Sequence, residues 1–297
     1  MNPVLALIIA NIIWGGASPI FKFALENIPP FTLAFIRFFF ASFFFLPFVF
    51  KYRHQLTWRN AFEICVSAFF GITVNISTFF LGLARTQSIN APIIASSEPV
   101  FIFLLSVIFL KERGSKKVFA GMLLALIGVL VIILSPIFLD GKVLVGGEIV
   151  GNFLFLLASF GAVFNTIMNK DILKRVHPVL LTYVSFLFGA LTFFPFMLSE
   201  LHTWSFHNLN IEGWTGIIFG VILCSATAYY LFNYAMAKLN AQEVGLFTYI
   251  DPVAAVIIAI PLIGEYPNAY FLIGSVLVFG GIFLAEKRLP WHPFHKL

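Results

Sequence analysis

Two acidic residues, Glu98 and Asp251, each stand directly before a proline inside a long apolar stretch, and 153 residues separate them. The same offset relates Pro99 to Pro252, Glu112 to Glu265, Gly121 to Gly274 and Gly128 to Gly281. Each acid lies about ten residues from either end of its stretch. At about 1.5 Å per helical residue, that is a depth of ~15 Å in a bilayer, close to the midplane. A charge there is costly unless paired, so such a carboxyl group points to function: it can carry a coupling proton or hold a substrate amine. The competing structural reading has the prolines freeing the carbonyls of Ala95 and Thr248, with the adjacent acid serving the broken helix. Either way, Pro99 and Pro252 are hinge candidates.

Other residues could meet a substrate. Arg37 lies seven residues into an apolar helix, about 10 Å deep. It suits a carboxylate partner, while snorkelling to the headgroups is the favoured alternative. Lys22 lies nearer a helix end, where snorkelling is expected. Trp14, Asn75, Asn165, Tyr230 and Asn233 are polar or amphipathic residues inside apolar spans and are candidate cavity lining. Glu112 and Glu265 close their spans beside loops and read as turn or cap residues. The glycine pairs read as close helix packing.

These residues need a membrane to position them. Apolar residues make up 60% of the chain and charged residues only 10%, against about a quarter in a soluble domain. Thirty-nine phenylalanines exceed what a soluble core of this size hides. Ten apolar runs approach the ~20 residues that span lipid. They cover 3–24, 31–50, 62–83, 88–110, 117–137, 148–168, 178–198, 214–235, 242–263 and 269–286. The expected fold is an all-α integral membrane protein of ten transmembrane helices.

Basic residues orient it. With the N-terminus in the cytoplasm, fourteen of the loop and tail Lys and Arg residues fall on the cytoplasmic side, and only Arg85 and Lys142 fall opposite. The positive-inside rule then places both termini in the cytoplasm. The net charge of +5 forms no continuous patch, so no nucleic-acid partner is expected.

The repeat adds topology. Pro30 and Pro47 match Pro178 and Pro195 at an offset of 148, and the change from 148 to 153 implies about five extra residues in the second half. Five spans per half is an odd number, so the halves insert in opposite orientations as inverted repeats. They are residues 1–137 and 148–287, with a short cytoplasmic tail at 288–297.

Residues 12–41, opening IIWGGASPIFKF, resemble the start of an EamA-type repeat of the drug/metabolite transporter superfamily. Residues 96–132, with SSEPVFIF and LKERG, and residues 249–284, with YIDPVAAV and IGEYP, resemble the two repeat endings. The resemblance covers essentially the whole chain. It implies ten transmembrane helices, a central cavity and carriage of a small metabolite, often as efflux. The second half departs in its opening, where Ser185 stands at the position matching Arg37.

Enzyme classes find no support. There is no His-Glu-x-x-His, no Gly-x-Ser-x-Gly and no phosphate-binding Gly-x-x-x-x-Gly-Lys-Ser/Thr. The two cysteines, Cys65 and Cys224, offer neither metal spacing nor a disulfide framework. No cofactor or metal is expected. The expected function is secondary transport across the inner or plasma membrane of a small polar or amphipathic metabolite such as an amino acid. A passive channel or facilitator is the alternative, and homo-oligomerisation stays open.

Overall fold

The computed structural model describes residues 1–98, 101, 116–140, 147–239, 244 and 247–286. Pro99, Glu112 and the 288–297 tail lie outside the described residues. The described residues form helices joined by short connections, with no strand among them. We label the helices α1 (Pro3–Leu25), α2 (Pro30–Tyr52), α3 (Trp58–Leu83), α4 (Asn90–Ala95), α5 (Lys116–Asp140), α6 (Gly147–Ile172), α7 (Pro178–Glu200), α8 (Ile211–Met236), α9 (Ile250–Ile263) and α10 (Ala269–Glu286). Seven of the described helices are long and apolar enough to cross a bilayer, and two shorter apolar ones cover Phe247–Ile263 and Ala269–Leu284.

Local chemistry sets the helix ends. Asn2 accepts from the Val4 amide at 2.8 Å to cap α1, whose first residue is Pro3. α2 and α7 also start on proline, where the missing N–H costs no helical bond. Gly264 ends α9 at φ 67°, the left-handed conformation glycine adopts freely.

The outer surface is apolar. Phe40, Phe43, Phe44, Phe48 and Phe50 on α2 and Val276 on α10 are exposed, as lipid contact requires. Inside, α2 lies along α7, α5 along α10, α3 along α6, and α1 against α8 and α9. Glycines bring α5 and α10 into backbone contact. A Cβ on Gly128 would come 2.6 Å from the Gly274 oxygen, and one on Gly281 would come 2.4 Å from the Gly121 oxygen.

Helix bounds recur through the chain. α2 and α7 begin and end 148 residues apart, whereas α3 and α8 begin and end 153 apart, as do the starts of α5 and α10. The difference falls in one connection, five residues at 53–57 against ten at 201–210.

Two features differ from the sequence expectation. The 242–263 span is not one helix with a mid-helix acid-proline pair. A 3₁₀ turn at Phe247–Tyr249 precedes α9, so Asp251 and Pro252 occupy the first turn of a new helix. Proline is tolerated there, and an acid faces the positive end of the helix dipole. In the first half, α4 likewise stops at Ala95, and a turn at Ser96–Ser97 precedes Glu98. Second, α3 and α8 each contain a π-helical stretch, Phe69–Val74 and Phe219–Thr227, for which the sequence carried no sign.

Two faces of the bundle can be named. Met1 marks one, where its carbonyl accepts from the Tyr234 hydroxyl at the end of α8. The opposite face, hereafter the far face, holds the ends of α1, α3 and α9 and the start of α2. There Glu200 caps α2, accepting from the Phe31 and Thr32 amides at 3.1 and 2.6 Å.

Candidate functional site

A cavity of about 190 Å³ lies among α1, α2, α3, α4, α6, α8 and α9. Glu98 and Asp251 both line it, one from each half of the chain. Asp251 is 8% exposed, and its Oδ1 has no hydrogen-bond partner among the described residues. A buried acceptor left unpaired is costly. Asp251 can reach the cavity because α1 thins where it meets α9. A Cβ on Gly15 would lie 2.5 Å from the Asp251 backbone oxygen and 2.8 Å from its Cα.

Arg37 does not snorkel. It is 2% exposed and lines the same cavity. Its Nε donates to Ser225 Oγ at 2.6 Å and its Nη2 to Cys224 Sγ at 3.1 Å. The guanidinium also stacks near Phe21, Phe38 and Tyr229, with Cζ 4.9, 4.8 and 5.8 Å from the ring centroids. These partners are neutral, and among the described residues no carboxylate pairs with Arg37. Snorkelling fails because Phe21, Phe38 and Tyr229 provide a cation–π site inside the bundle, and the π segment of α8 supplies Cys224 and Ser225.

The remaining candidates divide. Trp14 lines the cavity, donating from Nε1 to the Cys224 carbonyl at 3.2 Å and packing on Phe232 and Tyr229 at 4.8 and 5.2 Å. Asn75 lines it and donates to the Ala158 carbonyl at 2.7 Å. Asn165 lines it and donates to the Ser67 carbonyl and Oγ, both at 3.0 Å. Asn233 lines it and donates to Thr182 Oγ1 at 3.0 Å. Tyr230 is not among the lining residues, and its ring packs near Phe45 and Tyr234. Its neighbour Tyr229 lines the cavity instead, since one helical residue turns a side chain by about 100°.

Sequence reasoning missed Tyr229, Phe232, Cys224 and Ser225. The Trp14 cluster could have pointed to the first two, because Tyr229 and Phe232 fall three apart on one helical face. Nothing in the apolar run around Cys224 and Ser225 set them apart.

Lys22 does not snorkel either. Its Nζ lies 2.6 Å from Glu265 Oε1 and 2.7 Å from the Thr86 carbonyl. Glu265 caps as expected, but it caps another helix. Its Oε2 accepts from the Ser88 amide and hydroxyl, each at 2.7 Å, and from the Ile89 amide at 3.3 Å, just before α4. A terminal lysine that finds a carboxylate and a carbonyl within the protein has no need of headgroups.

The cavity therefore offers a fixed cation, an unpaired acid oxygen and an aromatic wall within a volume suited to one small molecule. Among the described residues no group of three His, Cys, Asp or Glu side chains converges as a metal site would need.

The profile of the EamA-like transporter family matches residues 1–134 and again 149–286. A relative from Bacillus subtilis (strain 168), "Uncharacterized transporter YetK", is 29% identical over 296 residues, covering 98% of this chain and 89% of its own. A relative from Salmonella typhimurium, "Probable amino-acid metabolite efflux pump", is 25% identical over 292 residues, covering 94% and 93%. A solved structure described as "Crystal structure of protein" superposes with a TM-score of 0.68 at 18% identity, covering 95% of this chain and 96% of that one, a likeness of fold.

Proposed function

Because this chain belongs to the EamA-like transporter family, and is accordingly a multi-pass membrane transporter and not an enzyme, we propose that it is a secondary carrier. It exports a small zwitterionic metabolite such as an amino acid by alternating access around the central cavity, with proton coupling. The observation that carries this reading is the pairing of opposite needs in one cavity wall. Among the described residues, Arg37 donates only to neutral groups, and Asp251 Oδ1 has no donor. A substrate carboxylate fits the first and a substrate ammonium the second. Trp14, Tyr229 and Phe232 take its apolar part.

Glu98 and Asp251 carry the coupling proton in this account. An acid that binds either a proton or a substrate amine, facing alternate sides, ties export to proton entry. The breaks in the backbone beside both acids supply the hinge, with Pro252 in the first turn of α9. Asn75, Asn165 and Asn233 hold the surrounding helices in register and present polar edges to the substrate. Efflux is the direction because the Salmonella relative is named for efflux.

The architecture proposed is ten transmembrane helices in two inverted repeats, 1–137 and 148–287, followed by a cytoplasmic tail. The recurring helix bounds support it. Both termini lie in the cytoplasm of a cell-membrane protein in this reading, which the distribution of Lys and Arg supports.

The test is flux through the purified protein in proteoliposomes, with an amino-acid panel and with or without a pH gradient. Saturable, counter-transported flux that responds to the gradient supports the carrier. Non-saturating conductance supports a channel and overturns it.

A further inference from the structure

Lys22 on α1 and Lys170 on α6 are 148 residues apart, the offset that also relates α2 to α7. They lie at opposite faces of the bundle and do the same thing. Lys22 donates to the Thr86 carbonyl just beyond α3, at 2.7 Å. Lys170 donates to the Met236 carbonyl at the end of α8, at 2.8 Å, and to the Leu239 carbonyl just beyond it. Thr86 and Leu239 are 153 residues apart, the offset that relates α3 to α8. One chemical device therefore occurs twice, once at each face of the bundle.

At the far face the device includes an acid. Lys22 also pairs with Glu265, whose other oxygen holds Ser88 and Ile89. A single ion pair thus binds the end of α1, the start of α4 and the connection after α9. α4 leads to Glu98, and Asp251 lies in the first turn of α9. The latch holds the far ends of the two segments that bear the cavity acids. Its side chains are 30% and 10% exposed for Lys22 and Glu265. The pair is thus partly screened from water, with Lys22 the more accessible partner.

We propose that Lys22 and Lys170 are positioning residues for alternating access. Each ammonium latches one mouth of the cavity shut, Lys22 at the far face through Glu265 and Lys170 at the Met1 face through the carbonyls at the end of α8. The proposal rests on the carrier reading, and its test needs no substrate.

Cys224 lines the cavity and is the reporter, in a full-length Cys65→Ser background. A membrane-impermeant methanethiosulfonate is applied to one side of sealed vesicles at a time, and the rate of its addition to Cys224 is followed by mass. Lys22→Gln and Glu265→Gln each raise the far-face rate by about tenfold or more, as loss of a part-buried charge pair implies. Lys170→Gln raises the Met1-face rate and leaves the far-face rate alone. Variants are compared only as folded, monodisperse protein, and Glu265→Gln stands in if Lys22→Gln does not fold. Unchanged far-face rates in the single variants would overturn the latch, as would Lys170→Gln acting on the same face as Lys22→Gln. Parent Cys224 reacting equally fast from both faces would instead indicate an open pore and overturn the carrier reading beneath it.

Discussion

Arg37 Nε and Ser225 Oγ lie 2.6 Å apart, joining α2 to the π-helical stretch of α8 inside the membrane-spanning bundle. The bond fixes the guanidinium plane at the cavity wall but leaves the charge unanswered. A neutral hydroxyl orients an arginine; it does not neutralise one.

Arg37→Ala removes the carboxylate partner. Loss of one charge-assisted bond costs about 1.5–3 kcal/mol, so half-saturation by an amino acid rises roughly 10- to 150-fold. The matching amine without its carboxyl group is transported as before. Ser225→Ala, which removes only a neutral orienting bond, costs about 1 kcal/mol at most. Half-saturation concentrations in proteoliposomes distinguish these cases.

Gly15→Ala forces α1 away from α9. The added Cβ would come 2.5 Å from the Asp251 backbone oxygen and 2.7 Å from Ala254 Cβ, and neither can yield without moving a helix. Overpacking of this kind costs about 1–3 kcal/mol. The expected result is a lower melting temperature and slower transport. Gly147→Ala, where no atom of the described residues lies within 4 Å, leaves both unchanged and serves as the control.

His177 makes stability depend on pH. It caps α7 through Nδ1, which accepts from the Val179 amide at 3.3 Å, and it stacks on Tyr52 at 3.7 Å. Burial pushes its pKa below the usual histidine value, with the Lys51 charge adding to the effect. The folded value is the lower one, so the stabilisation is fully present above the ordinary pKa of about 6.5 and is lost as the pH falls through the folded value. The melting temperature should be flat from about pH 8 to 6.5 and then decline. His177→Asn keeps a cap acceptor and removes the titration, so its profile should decline less. An identical decline would assign the effect to other groups.

The spans were legible because a bilayer imposes length and apolarity together. The 31–50 and 178–198 runs differ from α2 and α7 by two residues or fewer at each end. Ends extended beyond the apolar run where polar residues continue the helix, as α6 does through Asn169, Lys170 and Asp171 to Ile172. The placement of Glu98 and Asp251 at the cavity was legible because a carboxyl group deep in an apolar run is too costly to face lipid. The partners of Arg37, Lys22 and Glu265 were not. Each is set by contact between segments 64 to 243 residues apart, which no local pattern records. A tilt of one helical residue likewise separates Tyr230 from the lining residue Tyr229, and apolar periodicity is uninformative on a helix that is apolar all round.

A C-terminal reporter tests orientation. A fusion after Leu297 that is active only outside the cytoplasm should be silent, and activity there would invert the proposed topology.

The most direct measurement compares wild type with Glu98→Gln and Asp251→Asn in proteoliposomes, recording pH-gradient-driven flux and substrate exchange in the same preparation. The account predicts that at least one amide variant folds and exchanges substrate but no longer responds to the gradient, since a permanently neutral side chain can reorient without carrying a proton. If both variants retain wild-type gradient-driven flux, neither Glu98 nor Asp251 carries the proton, and proton coupling through the cavity acids is contradicted.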